Sequence, residues 1–399
     1  MITVYSRVAR LACTALAAAS AVSGLAACSH SSSQSTATAL AGTCLTSQAA
    51  PLAVAVGVRS NVPTTKFPAA VTALLSTTAD AGKQISLVRI DGQPKIFTPP
   101  TFSTTDQNGP ARSRDINTYL NRNVNPILSS RVHAQVAQAD VLSALNLAAS
   151  ATGPNGNIIL IDSGLQTVAP LNYQQAGMMM ASPADVVAFL RKQDLIPDLK
   201  GRHVLLSGFG YTAPPQPVLN EAQRDSIISQ WEAIIKAGGG CASVDPTGNT
   251  ATAVSGLPAV AVVKPPKPVV FSNCGTIVLS DAGSVGFVVG KATFRDPSSA
   301  HATLSQLAGK LKQGSEHITI IGSTSSEGGD AVNNPLSQQR AAAVASVLTS
   351  MGIPSSRMTT AGDGAHWPGR VNDTGAGGVL LPAQAEQNRV VVVQLPKCT

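Results

Sequence analysis

The chain has 399 residues, of which only 12% are charged and 4% aromatic, and 28 Lys and Arg residues against 21 Asp and Glu give a formal net charge of +7. No cluster of Lys or Arg stands out, so the charge argues against nucleic acid as a partner and allows only a mild attraction to anionic polymers or lipid headgroups of a cell envelope. The length is sufficient for two folded domains.

Residues 1–27 have the pattern of an export signal. Arg7 and Arg10 precede an Ala-rich apolar stretch that is shorter than the roughly 20 residues a membrane-spanning helix needs. The stretch ends in Leu25-Ala-Ala-Cys28, which resembles the bacterial lipobox. The resemblance implies that Cys28 becomes the first mature residue, is acylated with fatty acids such as palmitate, and anchors the chain on the extracytoplasmic face of the cell membrane. The alternative is an ordinary secretory signal with an incidental Cys.

A Ser-rich segment, residues 28–43, follows the signal and is too polar to fold, so we predict a flexible tether. Four further cysteines follow Cys28, and an even number in an exported chain favours disulfides, for which three pairings are possible. One pair brackets each of the two folded stretches described below. We therefore predict one disulfide in each stretch, namely Cys44–Cys241 and Cys274–Cys398.

Residues 44–244 alternate between apolar, β-branched runs and amphipathic helical patterns. We predict strands at residues 52–58, 84–90, 157–162 and 203–208, and helices at residues 67–78, 116–149, 183–192 and 219–236. Strands that are apolar on both faces and separated by helices favour a parallel sheet covered on both sides. The expected fold is a doubly wound α/β domain.

A site in such a sheet lies beyond the carboxyl ends of its strands. The residues at those ends are Gly57-Val-Arg59-Ser-Asn61, Asp162-Ser163-Gly164 and Gly208-Phe-Gly-Tyr-Thr212. The order of elements resembles the von Willebrand factor A fold, whose metal-binding form carries Asp-x-Ser-x-Ser after the first strand. Gly57-x-Arg59-x-Asn61 has no carboxylate there, so we expect no metal site of that design.

An enzymatic site has little support in the sequence. Ser163 follows Asp162 and could be a nucleophile, but Gly-x-Ser-x-Gly is absent and the six His residues are scattered without metal-ligand spacing. No phosphate-cradling loop occurs, so no cofactor is expected. We interpret Asp162 as the cap of the turn after its strand and the protein as a non-enzyme, with an envelope hydrolase at Asp162 and Ser163 as an alternative.

Residues 245–268 are rich in Thr, Gly and Pro and end in Lys264-Pro-Pro-Lys-Pro268. Such a composition predicts a stiff, extended spacer. It can also contain a last strand of the first domain at residues 259–263.

Residues 269–399 show apolar patterns that predict a two-layer α+β module. We predict strands at residues 285–294, 318–321 and 390–394, and helices at residues 298–313 and 335–351.

Several short motifs follow one another across about 115 residues of this module. They are Phe287-x-x-Gly290-Lys-Ala-Thr-Phe294, Gly322-x-Thr324, Asn333-x-x-Leu336-Ser337-x-x-Arg340-Ala341, Gly352-Ile353-Pro-x-x-Arg357, Ala361-Gly-x-Gly364 and Asn388-Arg389. In this order and spacing they resemble the OmpA-like C-terminal domain of peptidoglycan-associated envelope proteins. The pairing of such a domain with an α/β domain is similar to that in actinobacterial exported lipoproteins.

The resemblance implies a site that holds the diaminopimelate of peptidoglycan stem peptides. In the family pattern an Asp after Gly-x-Thr meets the ligand ammonium and the helix Arg, here Arg340, meets the ligand carboxylate. Ser325 stands where the family has Asp, so a charged contact becomes a neutral one. The predicted ligand-binding residues are Thr324, Ser325, Asn333, Arg340 and Arg389, with Glu327 and Asp330 as alternative sources of negative charge. Ser337 and Asn333 also suit a turn and helix start.

Together these observations predict a lipid-anchored envelope protein that links the membrane to the cell wall by binding peptidoglycan, while its N-terminal domain holds an unidentified envelope protein. The alternative keeps the fold but uses it as a protein–protein interaction module, because Ser325 removes the carboxylate of the site.

Overall fold

The computed structural model describes residues 50–280 and 284–398, which belong to one compact unit. The predicted signal sequence, Cys28, the tether and Cys44 lie outside these residues, so the Cys44–Cys241 pairing stays a prediction. Two sheets form, one in each half of the chain. Among the residues described, no helix has the length and apolar character needed to cross a membrane.

The N-terminal half is built on a six-stranded mixed sheet with the order β3-β2-β1-β4-β5-β6. Its strands are β1 (Leu52–Val56), β2 (Ile85–Arg89), β3 (Lys95–Phe97), β4 (Asn157–Ile161), β5 (His203–Ser207) and β6 (Cys241–Val244). Five strands run parallel, whereas β3 pairs antiparallel with β2. The four predicted strands are present, and the edge strands β3 and β6 were not predicted because each is short. The resemblance to the von Willebrand factor A fold stays a prediction.

Helices cover both faces of this sheet. They are α1 (Ala69–Asp80), α2 (Gly109–Tyr119), α3 (Val141–Thr152), α4 (Pro183–Lys192) and α5 (Glu221–Ala237). Side chains of β1 alternate between two cores, because successive residues of a strand point to opposite faces. Leu52, Val54 and Val56 join the core with α1 and α2, and Ala53 and Ala55 join the core with α3, α4 and α5.

The single long helix predicted at residues 116–149 is wrong. Helix α2 ends at Tyr119, two π-helical turns continue to Arg131, and α3 begins only at Val141. The intervening backbone pairs with the end of the sheet, since Ala134 N donates to the carbonyl of Val58 (3.0 Å) and Gln135 N to the Asp91 carboxylate (2.8 Å). These long-range hydrogen bonds take the place of the hydrogen bonds that a continuous helix would form. The local sequence pattern could not indicate them, because their partners are distant in the chain.

The first part of the predicted spacer is packed against the N-terminal half rather than extended. Thr64 N donates to the carbonyl of Thr252 (2.9 Å), and Val260 N donates to Ser60 Oγ (2.9 Å). Val263 is fully buried and its N–H donates to the Gln216 side chain (2.8 Å). The strand predicted at residues 259–263 is therefore wrong, because side chains and loops satisfy this backbone and no sheet does.

The C-terminal half is a two-layer module whose four-stranded sheet has the order β7-β10-β8-β9. Its elements are β7 (Thr276–Leu279), α6 (Pro297–Leu311), β8 (Ile318–Gly322), α7 (Asp330–Ser350), β9 (Met358–Gly362), α8 (Pro382–Asn388) and β10 (Val391–Gln394). Strand β10 is antiparallel to β7 and β8, and β8 and β9 are parallel. Leu304 of α6 and Val344 of α7 are buried in one core with Ile320 and Val391 of the sheet.

The strand predicted at residues 285–294 is instead a hairpin-like loop with one bridge, between Phe287 and Phe294, whose rings stack at 4.8 Å. Short elements β7, β9 and α8 were not predicted. The predicted disulfide Cys274–Cys398 is confirmed, and it joins the segment before β7 to the one after β10.

Candidate ligand-binding site

The predicted site residues converge on the loop between β8 and α7. This convergence depends on Gly322, the last residue of β8, where a Cβ atom would lie 1.9 Å from the carbonyl oxygen of Ser337. Because no side chain separates them, α7 packs directly on the end of the strand. The close approach places Ser337 and Arg340 beside the loop that carries Thr324 and Ser325.

Hydrogen bonds within the loop fix its shape. Thr324 N donates to the carbonyl of Gly364 (2.8 Å), and Gly364 N donates to Ser337 Oγ (2.9 Å), which itself donates to the carbonyl of Asn334 (2.8 Å). Ser337 therefore has a structural role, but the turn and helix start predicted at Asn333 and Ser337 is wrong, because α7 already begins at Asp330 and both residues lie inside it.

Two buried polar atoms of this loop and helix lack a hydrogen-bond partner within the part of the chain that the structure describes. They are Thr324 Oγ1 and Asn333 Nδ2. A buried polar group without a partner costs about 1–3 kcal/mol. The loop therefore holds unused hydrogen-bonding capacity, which a polar ligand group can satisfy.

Arg340 is only 2% exposed and lies in the wall of the site. Its Nε donates to the carbonyl of Lys291 (3.1 Å), and its guanidinium lies 5.2 Å from the centre of the Phe287 ring. Burial lowers the pKa of Arg340 to about 10, with a further contribution from the nearby positive charge of Arg389. A cation destabilised in this way gains from a bound anion.

Arg389 follows α8 and is 7% exposed. One arm of its guanidinium, Nη2, donates to Ser325 Oγ (3.2 Å), and the other, Nη1, donates to the carboxylate of Asp185 in α4. Burial lowers the pKa of Arg389, but the charge and hydrogen bond of Asp185 raise it more, and the net shift is upward. Sequence reasoning missed Asp185, since 204 positions separate it from Arg389 and no motif marks it.

The alternative acidic residues do not take the place of the missing Asp. Asp330 is exposed and pairs with the ring of His366 (Nε2–Oδ1 2.7 Å). Glu327 is exposed and contributes to the raised pKa of Arg389 through its charge.

A carboxylate that sequence reasoning missed, Asp373, organises the neighbouring segments. It is fully buried and accepts hydrogen bonds from Ser326 N (2.9 Å), Asn388 Nδ2 (2.9 Å) and Arg370 Nη2 (2.8 Å). Burial raises the pKa of Asp373, but the hydrogen bonds from Asn388 and Ser326 and the charge of Arg370 lower it more, so that the net shift is downward. Asp373 thereby ties the site loop to α8.

Part of the C-terminal half matches a known protein family. Residues 286–378, which include the loop between β8 and α7 and Arg340, match the OmpA family. These residues form an OmpA family domain. Arg389 lies beyond the matched residues but in the same sheet module.

One curated relative is similar to part of this chain. The chain is 36% identical over 121 residues to the probable lipoprotein YiaD of Escherichia coli (strain K12), a match that covers 30% of this chain and 52% of that protein. The chain thus spans about half the length of this relative.

Solved structures that are similar to part of the chain include the following three. The peptidoglycan-associated lipoprotein of Burkholderia pseudomallei is 28% identical, with 28% of this chain and 85% of that chain covered and a TM-score of 0.23. The cell wall anchor of the T6SS from Pseudomonas aeruginosa is 21% identical (31% and 81% covered, TM-score 0.25). The periplasmic domain of Helicobacter pylori MotB is 15% identical (33% and 82% covered, TM-score 0.26).

Outside the OmpA domain, the candidate residues at the carboxyl ends of β1 and β4 form an ion pair. Arg59 donates to both carboxylate oxygens of Asp162 at 2.5 and 3.0 Å, and both side chains are fully buried. Asp162 also accepts from Gly164 N (2.7 Å). The guanidinium therefore supplies the positive charge beside Asp162.

The neighbouring Ser163 takes part in a local turn, in which its Oγ accepts a hydrogen bond from Leu165 N at 3.4 Å. The described residues contain no group of three or more His, Cys, Asp or Glu that could hold a metal ion.

Proposed function

We propose that this protein is a cell-envelope lipoprotein that links the membrane to the cell wall, and that its OmpA domain binds peptidoglycan non-covalently through diaminopimelate. The observation that carries the proposal is the combination of buried Arg340, which lies on the Phe287 ring, with the unpartnered Thr324 Oγ1 and Asn333 Nδ2 of the adjoining loop and helix. A cation with unused polar groups around it suits the carboxylate of an amino acid.

In this proposal Arg340 and Arg389 together receive the ligand carboxylate, and Thr324 and Asn333 gain the hydrogen-bond partners that they lack. Ser325 offers a hydroxyl where the family places a carboxylate, so the contact with the ligand ammonium is neutral. Exchange of a charge-assisted hydrogen bond for a neutral one weakens binding by about 1–2 kcal/mol, or roughly tenfold. We therefore propose weak peptidoglycan binding, which the membrane anchor supplements by holding the domain near the wall.

Co-sedimentation with purified, diaminopimelate-containing peptidoglycan tests the proposal. Arg340→Ala should reduce the bound fraction at least tenfold, because it removes the charge that holds the ligand carboxylate. Lys310→Ala removes one positive charge from an exposed position of α6 and should bind as the wild type does. Ser325→Asp should bind about tenfold more tightly. Wild-type binding that Arg340→Ala leaves unchanged would refute the site.

The lipid anchor is supported by the Leu25-Ala-Ala-Cys28 sequence and by a relative whose name is that of a lipoprotein. Metabolic labelling with a palmitate analogue in a bacterial host should label the wild type and leave Cys28→Ser unlabelled. Equal labelling of both would count against acylation at Cys28.

The second candidate function is a protein–protein interaction module, and one observation favours it. Arg389 at the edge of the site already binds a protein carboxylate, that of Asp185. Absence of peptidoglycan binding by both the wild type and Ser325→Asp would favour this candidate. A partner of the N-terminal half is then sought by co-purification with the membrane-anchored form.

An envelope hydrolase at Asp162 and Ser163 has less support, because Arg59 and Gly164 engage the Asp162 carboxylate. A serine-reactive fluorophosphonate probe should fail to label the protein. Labelling that Ser163→Ala abolishes would revive the hydrolase.

A further inference from the structure

The two halves of the chain meet beside the candidate site, along α8 of the C-terminal half. Asp185 of α4 pairs with Arg389, and the side-chain amide of Gln387 donates to the carbonyl of Ala176 (2.7 Å). Ala383 of α8 is buried in the core of the N-terminal half together with Met178–Met180. Polar and apolar contacts thus hold the halves together at this place.

Gly177 permits the close approach of the two backbones. Its φ is +88°, and a Cβ atom there would lie 2.1 Å from the carbonyl oxygen of Ala383. Any side chain at this position would push α8 away from the N-terminal half. The docked arrangement therefore requires Gly177, which lies outside the ion pair.

The ion pair uses the guanidinium that faces the site. Arg389 places one arm on Ser325, the residue that replaces the family's Asp, and the other on Asp185. Arg389 and Asp185 are only 7% and 5% exposed. A bidentate contact with a ligand carboxylate needs both arms of a guanidinium, and Asp185 and Ser325 already occupy the two arms of Arg389.

The groups that await a ligand are themselves little exposed. Thr324 and Asn333 are each 2% exposed, and Ser325 is 5% exposed. A stem peptide can reach these groups only if part of the structure around them moves. The contact between Asp185 and Arg389 joins the site to the N-terminal half.

We propose that Asp185 acts as an internal competitor for the peptidoglycan carboxylate, so that docking of the two halves and peptidoglycan binding exclude each other. This inference rests on the proposed function. Binding to the wall would displace Asp185 from Arg389 and release the N-terminal half from α8. Because the coupling is reciprocal, docking weakens wall binding by the same factor as wall binding weakens docking, so a variant that disfavours docking should bind the wall more tightly.

Co-sedimentation with peptidoglycan tests the competition through two unrelated variants. Asp185→Asn removes the competing charge, and Gly177→Ala separates the backbones without touching the ion pair. Both should bind about tenfold more tightly than the wild type, a typical size for such coupling. The matched controls are Asp198→Asn, an exposed Asp, and Gly153→Ala, a positive-φ glycine with open space around it. Both controls should bind as the wild type does.

Hydrogen exchange provides the second readout. Soluble peptidoglycan fragments that contain diaminopimelate should accelerate amide exchange in residues 176–186 of the wild type, because these residues leave α8 when the ligand binds. Arg340→Ala should show no such acceleration, since it lacks the ligand site.

The outcomes separate this inference from the proposed function. If peptidoglycan binds in an Arg340-dependent manner but Asp185→Asn and Gly177→Ala do not bind more tightly, the competition is refuted and the binding function stands. Weaker binding by Asp185→Asn would show that Asp185 contacts the ligand, which also refutes competition. If neither the wild type nor either variant binds, the proposed function fails.

Discussion

The buried ion pair between Arg59 and Asp162 gives a stability prediction whose size follows from the structure. Asp162→Ala leaves the guanidinium of Arg59 fully buried, with the carbonyl of Ile90 (3.3 Å) as its remaining bonded acceptor. Removal of one partner of a buried pair costs about 3–5 kcal/mol, because the other charge stays desolvated. With a urea m-value of about 2 kcal/mol/M, the midpoint should fall by roughly 1.5–2.5 M.

Urea unfolding monitored by tryptophan fluorescence measures this effect. Trp231 is fully buried in the N-terminal half and reports on it, and Trp367→Phe removes the second tryptophan, which lies in the C-terminal half. The control is Asp80→Ala, which breaks a partly exposed ion pair with Arg112 and should cost no more than about 1 kcal/mol.

A double-mutant cycle tests the cause. Arg59→Ala with Asp162→Ala leaves no unpaired charge, so the double variant should lose less stability than the sum of the two single variants, by about 1–3 kcal/mol. Additive losses, or an Asp162→Ala loss no larger than that of Asp80→Ala, would refute the assignment of Asp162 to a structural ion pair.

Three further predictions concern the C-terminal half. In a calorimetric scan, Gly322→Ala should lower the melting temperature, because its methyl group would collide with the backbone of α7. The control is Gly309→Ala, which lies in helix α6 with open space around it and should raise stability by about 0.5–1 kcal/mol. Replacement of Cys274 and Cys398 by Ser should cost about 2–5 kcal/mol in chemical denaturation, and an unchanged midpoint would contradict a stabilising disulfide. Because the pKa of Asp373 is lowered in the folded state, this carboxylate stabilises the fold above about pH 4, and the stabilisation is lost as the pH falls through the folded-state pKa. Asp373→Asn should therefore show a smaller loss of stability than the wild type when unfolding is measured below pH 4.

Local sequence patterns were sufficient for the regular elements. The buried strands β1, β4 and β5 and the helix α4 were predicted within a few residues, because strand hydrophobicity and helical periodicity are short-range signals. The order of motifs from Phe287 to Arg389 identified the OmpA domain and placed Arg340 next to the loop of Ser325. Here the sequence was informative because close packing dictates the residue type at some positions, such as Gly322, where a Cβ atom would collide with the backbone of α7.

Local patterns misled where distant contacts decide the conformation. The predicted helix at residues 116–149 is interrupted because its middle bonds to Val58 and Asp91 instead of to itself. The predicted spacer is packed because Ser60 and Gln216 bond its backbone. In both cases the partner lies tens of residues or more away in the chain, so a window of neighbouring residues carries no signal of it.

The sequence by itself determined three things about the C-terminal domain. It identified the OmpA family, it located Arg340 as the cation of the candidate site, and it showed that Ser325 stands where the family has an Asp. Only the tertiary structure decided what neutralises the cation beside Ser325. Asp185 does so from the other half of the chain, and it reaches Arg389 because Gly177 lets α8 approach the N-terminal core. A charge pair across 204 positions leaves no pattern in either segment, since electrostatic partners are fixed by the fold and not by spacing along the chain.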